Sequence, residues 1–138
     1  MKIRKATKKD INKIVNIEIS SGYHKNPIKE RIRELFINFF NSNNPYAYIL
    51  IDNKNVISYF AFRVARNICE LDYLALDKRY QGRGSGKLLL NKILTLSKKL
   101  KCEKVRLSVR YNNRIAINLY KKYGFGSIGK NKNKFIME

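Results

Sequence analysis

The sequence of 138 residues predicts a single mixed α/β (α+β) domain, one mixed sheet with four helices in the order β-α-α-β-β-β-α-β-α-β-β. Three observations carry that expectation. Apolar residues recur at helical spacing in some segments and as alternating or β-branched runs in the others. The length suits one domain, at roughly 100–200 residues each. No linker, internal repeat or low-complexity run divides residues 1–138 into separate units.

Each element has its own signal. Residues 1–6 alternate as a first strand, and Thr7 then caps a helix with Asp10 as its capping-box partner. Ile11, Ile14, Val15 and Glu18 share one face of that helix. Residues 20–27 are a loop by composition, and a second helix follows from about residue 28, with Ile32, Leu35, Phe36 and Phe39 on one face. Residues 46–52 and 56–66 are aromatic and β-branched, a hairpin turned at Asn53-Lys54-Asn55, and residues 68–76 form the next strand. Residues 77–86 are polar and glycine-rich. A helix over residues 87–100 carries Leu89, Ile93, Leu96 and Leu100 on one face, with Lys98, Lys99 and Lys101 complementing its dipole at the C-terminal end. Val105, Leu107 and Val109 alternate as a strand. Ala116, Leu119, Tyr120 and Tyr123 stripe a helix over residues 113–123, stopped by Gly124, and two short strands over residues 126–130 and 134–137 follow.

Composition narrows the function classes. With 44% hydrophobic and 12% aromatic residues, the chain is too apolar for a disordered basic tail. Its longest apolar run, residues 46–51, is far shorter than the ~18 residues of a membrane span. The basic start leads into no apolar stretch, so no signal peptide is expected. Cys69 and Cys102 are too few for a disulfide framework or a cysteine zinc site, and read as small hydrophobes. No His, Cys and carboxylate spacing suggests a metal. A cytoplasmic protein without membrane contact is the expectation.

The net charge of +20 invites a nucleic-acid partner, since Lys and Arg that neutralise phosphates release counterions. However, residues 1–66 carry 13 basic and 5 acidic residues, and residues 67–138 carry 17 and 5, so no tail concentrates the charge. Abundant Lys, Asn and Ile fit the codon bias of an AT-rich genome. Nucleic acid is therefore not the expected partner.

The segment richest in chemical information is Gln81-Gly82-Arg83-Gly84-Ser85-Gly86-Lys87, set between a strand and a helix. Free amides and the positive end of the helix dipole can hold a phosphate there, and the glycines allow close backbone approach. A Walker A loop does not fit, because Gln81 stands where glycine is needed and Leu88 follows Lys87. The dinucleotide pattern G-x-G-x-x-G does not fit either, because Lys87 takes the last glycine position. What remains is Q-x-x-G-x-G, at Gln81, Gly84 and Gly86.

With its flanks, from Leu74-Ala75-Leu76-Asp77 through Leu88-Leu89, this segment resembles the coenzyme A pyrophosphate motif of the GNAT N-acetyltransferase superfamily. A second block resembles the motif which that family places on the next strand and helix: Leu107-Ser108-Val109, Asn113, Ala116, Leu119-Tyr120 and Tyr123-Gly124-Phe125. The resemblance covers essentially the whole chain. It implies a GNAT-like acyl-CoA N-acyltransferase fold and acetyl-CoA as cosubstrate. The backbone of Leu74, Ala75 and Leu76 would pair with the pantetheine arm and polarise the acetyl carbonyl. Gln81, Gly82, Arg83, Gly84, Ser85, Gly86 and Lys87 would form the pyrophosphate loop, and Asn113 would bond the pantetheine, a role compatible with a helix N-cap. Lys87, Arg83, Lys121 and Lys122 are equal candidates for the 3′-phosphate.

Tyr120 matches the tyrosine that often protonates the departing thiolate, although its place on an apolar stripe also suits a core residue. Members that acetylate protein N-termini often carry a glutamate where this chain has Ser108. The other common position for a base falls on Glu70, with Asp72 second. Alternation would put Glu70, Asp72, Leu74 and Leu76 on one face, and a salt-bridged strand end is the competing reading of both acids. His24, the single histidine, borders the acceptor side in this family and is also a plausible surface residue. The implied activity is transfer of an acetyl group from acetyl-CoA to a primary amine, by direct attack on the thioester. The acceptor stays open among small amines, amino acids and protein amines. A +20 chain should repel polyamines unless Glu70 and Asp72 form a local acidic well. Relatives are often homodimers. The competing function is a non-catalytic coenzyme A-binding or basic nucleic-acid-binding domain of the same fold, against which the presence of Tyr120 and Glu70 argues.

Overall fold

Apolar stripes at helical spacing and runs of β-branched and aromatic residues become layers in a computed structural model, which describes residues 1–22, 25–42 and 46–138. The elements are β1 (Lys2–Lys5), α1 (Ile11–Ser20), α2 (Lys29–Phe40), β2 (Tyr46–Asp52), β3 (Asn55–Ala65), β4 (Ile68–Leu76), α3 (Ser85–Lys99), β5 (Lys104–Arg110), α4 (Arg114–Lys122), β6 (Ser127–Asn131) and β7 (Lys134–Met137). Their order is the one expected. The strands form one seven-stranded sheet, β1-β2-β3-β4-β5-β7-β6. The β4–β5 pair is parallel, and the other neighbouring pairs are antiparallel.

The two faces of the sheet hold separate cores. One joins Ile11, Ile14, Val15 and Ile17 of α1 and Ile32, Phe36 and Phe39 of α2 to Ala47, Ile49, Tyr59, Ala61 and Ala75. The other joins Leu89, Leu90 and Ile93 of α3 and Ile117 and Tyr120 of α4 to alternate residues of β3, β4, β5 and β7. Amphipathic stripes therefore decide which face each helix covers. A short 3₁₀ turn, Lys8–Asp10, precedes α1, and the Thr7 amide donates to Asp10 Oδ2 at 2.9 Å, the acidic half of the expected capping box.

Three expectations shift. Leu35 is exposed, because Ile32, Phe36 and Phe39 alone complete the buried stripe of α2. In α4 the deepest residues are Ile117 and Tyr120, with Ala116 and Leu119 at the margin. Helix α3 starts at Ser85 rather than residue 87, because Gly84 adopts a left-handed conformation (φ 81°) and caps it. Periodicity is blind to that polar first turn.

Candidate active site

The site is built where the parallel pair comes apart. Strand β4 stays paired with β3 along its whole length, from Ile68 opposite Ala65 to Leu76 opposite Ser58. Its pairing with β5 runs only from Ile68↔Lys104 to Leu71↔Leu107. Beyond that point the strands diverge into a V. Among the described residues no strand pairs with the β5-facing edge of residues 72–76, which leaves backbone groups of Leu74 and the Leu76 amide open to a ligand, whereas Ala75 faces β3, its carbonyl accepting from the Ser58 hydroxyl at 2.6 Å.

The glycine turn closes the top of this V. The Asp77 amide donates to Ile57 O at 2.8 Å, and the Asp77 carboxylate accepts from the Arg79 amide at 3.0 Å and from the Arg79 guanidinium at 2.8 and 3.1 Å. Those bonds hold its pKa below the usual carboxylate value. Gln81 Nε2 donates to Leu76 O at 3.1 Å and to Ser21 O at 3.4 Å, tying the turn to the end of β4 and to α1. Arg83 lies over the Tyr80 ring, 5.5 Å from its centroid. Gly82 and Gly84 have φ of 78° and 81°, the left-handed region that favours glycine. Gly86 serves a different purpose: a Cβ there would stand 3.2 Å from Leu119 Cδ2, so α3 and α4 meet closely at that point.

The residues present fit a pyrophosphate. Lys87 is exposed in the first turn of α3, where amides lack carbonyl partners within the helix. Ser85 is buried at the same turn, and its Oγ has no hydrogen-bond partner among the described residues. A buried hydroxyl without a partner is unfavourable, and a phosphate oxygen would satisfy it. Asn113 caps α4, its Oδ1 accepting from the Ala116 amide at 3.2 Å. The capping role is thus present, and the side-chain amide NH₂ is a separate donor. Tyr120 is 7% exposed, with its ring 5.7 Å from Phe125. Its place within the α3–α4 core is what the apolar stripe suggested.

The two acids beside the base of the V need a correction. Ala61 faces Tyr73 while Phe62 faces Leu71, so Asp72 is the extra residue of a β-bulge. The bulge interrupts strict alternation. Cys69, Leu71 and then Leu74 pack toward α3 and α4, whereas Tyr73 and Ala75 face α1 and α2. Leu74 therefore does not share a face with Glu70. Both acids are ion-paired: Arg63 donates to Asp72 at 2.6 and 2.9 Å, and Arg106 donates to Glu70 at 3.2 Å. The salt-bridged reading of these residues is present in the structure.

Sequence reasoning missed Arg106 and Glu138. Arg106 sits one position before the last β4–β5 pair and donates to Glu138 Oε2 at 2.9 and 3.0 Å as well as to Glu70. Lys104 adds a 2.9 Å bond to Glu138, and these cations hold the Glu138 carboxyl below its ordinary value. No local signal could reveal this network, which joins β4, β5 and the residue that follows β7. Glu18, buried on α1, accepts from the Tyr59 hydroxyl, which explains an acid on an apolar helix face. Cys69 is buried, and burial pushes its thiol up to about 12. His24 lies outside the described residues. Among those residues there is no cluster of three or more His, Cys, Asp or Glu able to hold a metal, and no helix long and apolar enough to cross a membrane.

A splayed parallel pair with an open strand edge, ending in a glycine turn at a helix N-terminus, is a cradle for an extended ligand that carries phosphates. Residues 11–125 match the acetyltransferase (GNAT) family, and the chain belongs to that family. The spermine/spermidine N(1)-acetyltransferase of Bacillus subtilis is 43% identical over 56 residues, covering 40% of this chain and 37% of that protein. The ribosomal protein bS18-alanine N-acetyltransferase of Haemophilus influenzae is 33% identical over 86 residues, covering 62% of this chain and 58% of that protein. The chain thus spans less than two thirds of the length of these curated relatives. The crystal structure of a PaiA N-acetyltransferase from Thermoplasma acidophilum in complex with coenzyme A superposes with a TM-score of 0.84. It is 22% identical, covers 99% of this chain and 96% of that one, and shows the fold.

Proposed function

We propose that the chain is an acetyl-CoA-dependent N-acetyltransferase that acetylates a primary amine. The observation that carries this reading is the edge of β4 that no strand pairs among the described residues, leading into the glycine turn, where Ser85 Oγ is buried without a partner among them. Backbone groups of Leu74 and Leu76 bind the pantetheine arm as an added strand, with Ala75 between them held to β3, and an amide of this edge polarises the acetyl carbonyl. The turn from Gln81 to Lys87, including Gly82, Arg83, Gly84, Ser85 and Gly86, holds the pyrophosphate, and the Asn113 amide binds the pantetheine.

The chemistry is a direct displacement. The amine nitrogen forms a bond to the acetyl carbon, the carbon–sulfur bond breaks, and the thiolate takes a proton from the Tyr120 hydroxyl. Glu70, directly or through water, takes the proton lost by the amine. Asp72 is the weaker candidate base, since both its oxygens bond Arg63. Much of the acceleration comes from holding the amine against the thioester.

The test is release of free coenzyme A from acetyl-CoA with a panel of amines, with the acetylated product identified by mass spectrometry. Acetyl transfer to at least one amine supports the reading. Coenzyme A binding with no transfer across the panel leaves a binding domain instead.

A further inference from the structure

Resting on the transferase reading, we infer that the Tyr73 hydroxyl orients the acceptor amine, accepting a hydrogen bond from its nitrogen on the side of the sheet away from α3 and α4. The bulge at Asp72 is what puts it there. Cys69 and Leu71 pack toward α3 and α4, and strict alternation would send Tyr73 the same way and Leu74 to the opposite side. The extra residue exchanges them: Leu74 packs against the α3–α4 core, and Tyr73 packs with α2 on the other face. Glu70, opposite Arg63 and flanked by Cys69 and Leu71, faces that side as well. Bulges beside active sites re-aim side chains, and this one sets an aromatic hydroxyl on the same face as the proposed base.

That face is also the one open to an acceptor. The glycine turn leads into α3, so the phosphates of a coenzyme held there lie on the α3 side of the sheet. Its acetyl end reaches the open edge of β4 at Leu74 and Leu76. An amine then meets the thioester from the other side of the V, where Tyr73 immediately precedes Leu74.

Two tyrosines flank Phe36 on this side, and their hydroxyls differ. Tyr59 is fully buried, its ring 5.3 Å from Phe36, and its hydroxyl donates to Glu18. Tyr73 is half-buried. Its ring is held 4.9 Å from Phe36 and 6.0 Å from Phe39, yet its hydroxyl bonds to none of the described residues. Packing thus fixes the ring and leaves the polar end for a ligand. Burial, and then the charges of Asp72 and Glu18, push the phenol above its ordinary pKa, so it keeps its proton at neutral pH. The oxygen of a neutral phenol accepts from N–H groups. Holding one N–H of the amine in this way leaves the nitrogen lone pair for the acetyl carbon, and Tyr73 itself neither gains nor loses a proton.

The test uses Tyr73→Phe, which keeps the ring against Phe36 and Phe39 and removes only the hydroxyl. The probe is a conjugate of coenzyme A whose sulfur carries a CH2–C(O)–NH–propyl group, which places an amide N–H close to the position of the acceptor nitrogen. Calorimetry should show the conjugate binding the variant about 3–10-fold more weakly than wild type, the usual size of one neutral hydrogen bond, with free coenzyme A binding both equally. With an amine that the wild type acetylates, KM for the amine should rise by a similar factor. KM for acetyl-CoA, and the slow hydrolysis of acetyl-CoA without amine, should stay at wild-type values. Equal affinity of the two proteins for the conjugate, or an equal loss for the conjugate and for coenzyme A, overturns the inference while the transferase reading stands. Weaker binding of the conjugate alone, with no acetylation of any amine, overturns the transferase reading and leaves the Tyr73 contact.

Discussion

Arg63 donates to both carboxylate oxygens of Asp72, at 2.6 Å from Nε and 2.9 Å from Nη2, across the bulge that interrupts β4. This two-point bond orients the Asp72 carboxylate away from a free role. Glu70 has a single 3.2 Å bond to Arg106, whose other hydrogen bonds go to Glu138. Of the two acids, Glu70 is the more readily released to take a proton.

That difference gives the first prediction. Glu70→Gln should lower kcat at least tenfold at neutral pH, with coenzyme A affinity unchanged. Asp72→Asn should have the smaller effect on kcat, because it removes charge from a bond to Arg63 rather than from the proton path. Steady-state kinetics from pH 5 to 9 on both variants, with calorimetric coenzyme A binding, make the comparison. A larger loss in the asparagine variant would reverse the assignment.

Replacing Tyr120 by Phe should preserve the fold, since the ring that packs 5.7 Å from Phe125 is retained. Turnover should fall at least tenfold, as a general acid contributes roughly 10²–10⁴ in rate. Coenzyme A affinity should not change. Wild-type turnover in the phenylalanine variant would take Tyr120 out of the mechanism.

The glycines of the turn separate by cause. Gly84 sits at φ 81°, so Gly84→Ala places a Cβ in the left-handed region and should cost about 1–2 kcal/mol of stability. Coenzyme A should bind it more weakly, because the strain falls at the cap of α3. Gly86→Ala meets only the terminal Cδ2 of Leu119, at 3.2 Å, a flexible end that can yield by a few tenths of an ångström. The gain of about 1 kcal/mol in helix propensity offsets that adjustment, so its stability should stay near wild type. Urea melts of both variants test the contrast, and equal losses would contradict it.

The order of all seven strands and four helices is legible in the sequence because each is amphipathic or β-rich over enough residues to show its period. The glycine turn is legible for the same reason: glycines and polar residues cluster where the chain must turn tightly. What stays hidden depends on partners far apart in sequence. Leu74 looks co-facial with Glu70 by alternation, and only the β3 register reveals the bulge at Asp72. The bond from Arg106 to Glu138 spans 32 residues and the one from Arg106 to Glu70 spans 36, so no local pattern encodes either. The overall charge of +20 likewise says nothing of Glu70 and Asp72 beside the V, which already bond Arg106 and Arg63.

Asp10 ties the first strand to the first helix, and its titration should be visible in stability. Arg4 donates to its carboxylate oxygens at 2.9 and 3.0 Å, and the Thr7 amide adds a third bond at 2.9 Å. The Arg4 bond is the main cause that holds the Asp10 carboxyl below its ordinary value of 3.8, against the opposing effect of burial. A carboxyl with a lowered folded pKa binds protons less readily in the native state than in the unfolded chain. Its contribution is therefore full above the ordinary value and is lost as pH falls through the lower native one. Asp10→Asn should destabilise the protein by about 0.5–2 kcal/mol at pH 7, the usual range for a lost cap. The difference from wild type should hold constant between pH 7 and 5 and shrink below about pH 4. Urea midpoints for the two proteins at each pH give the measurement, and a gap that persists unchanged at pH 3 would show that shape rather than charge makes Asp10 stabilising.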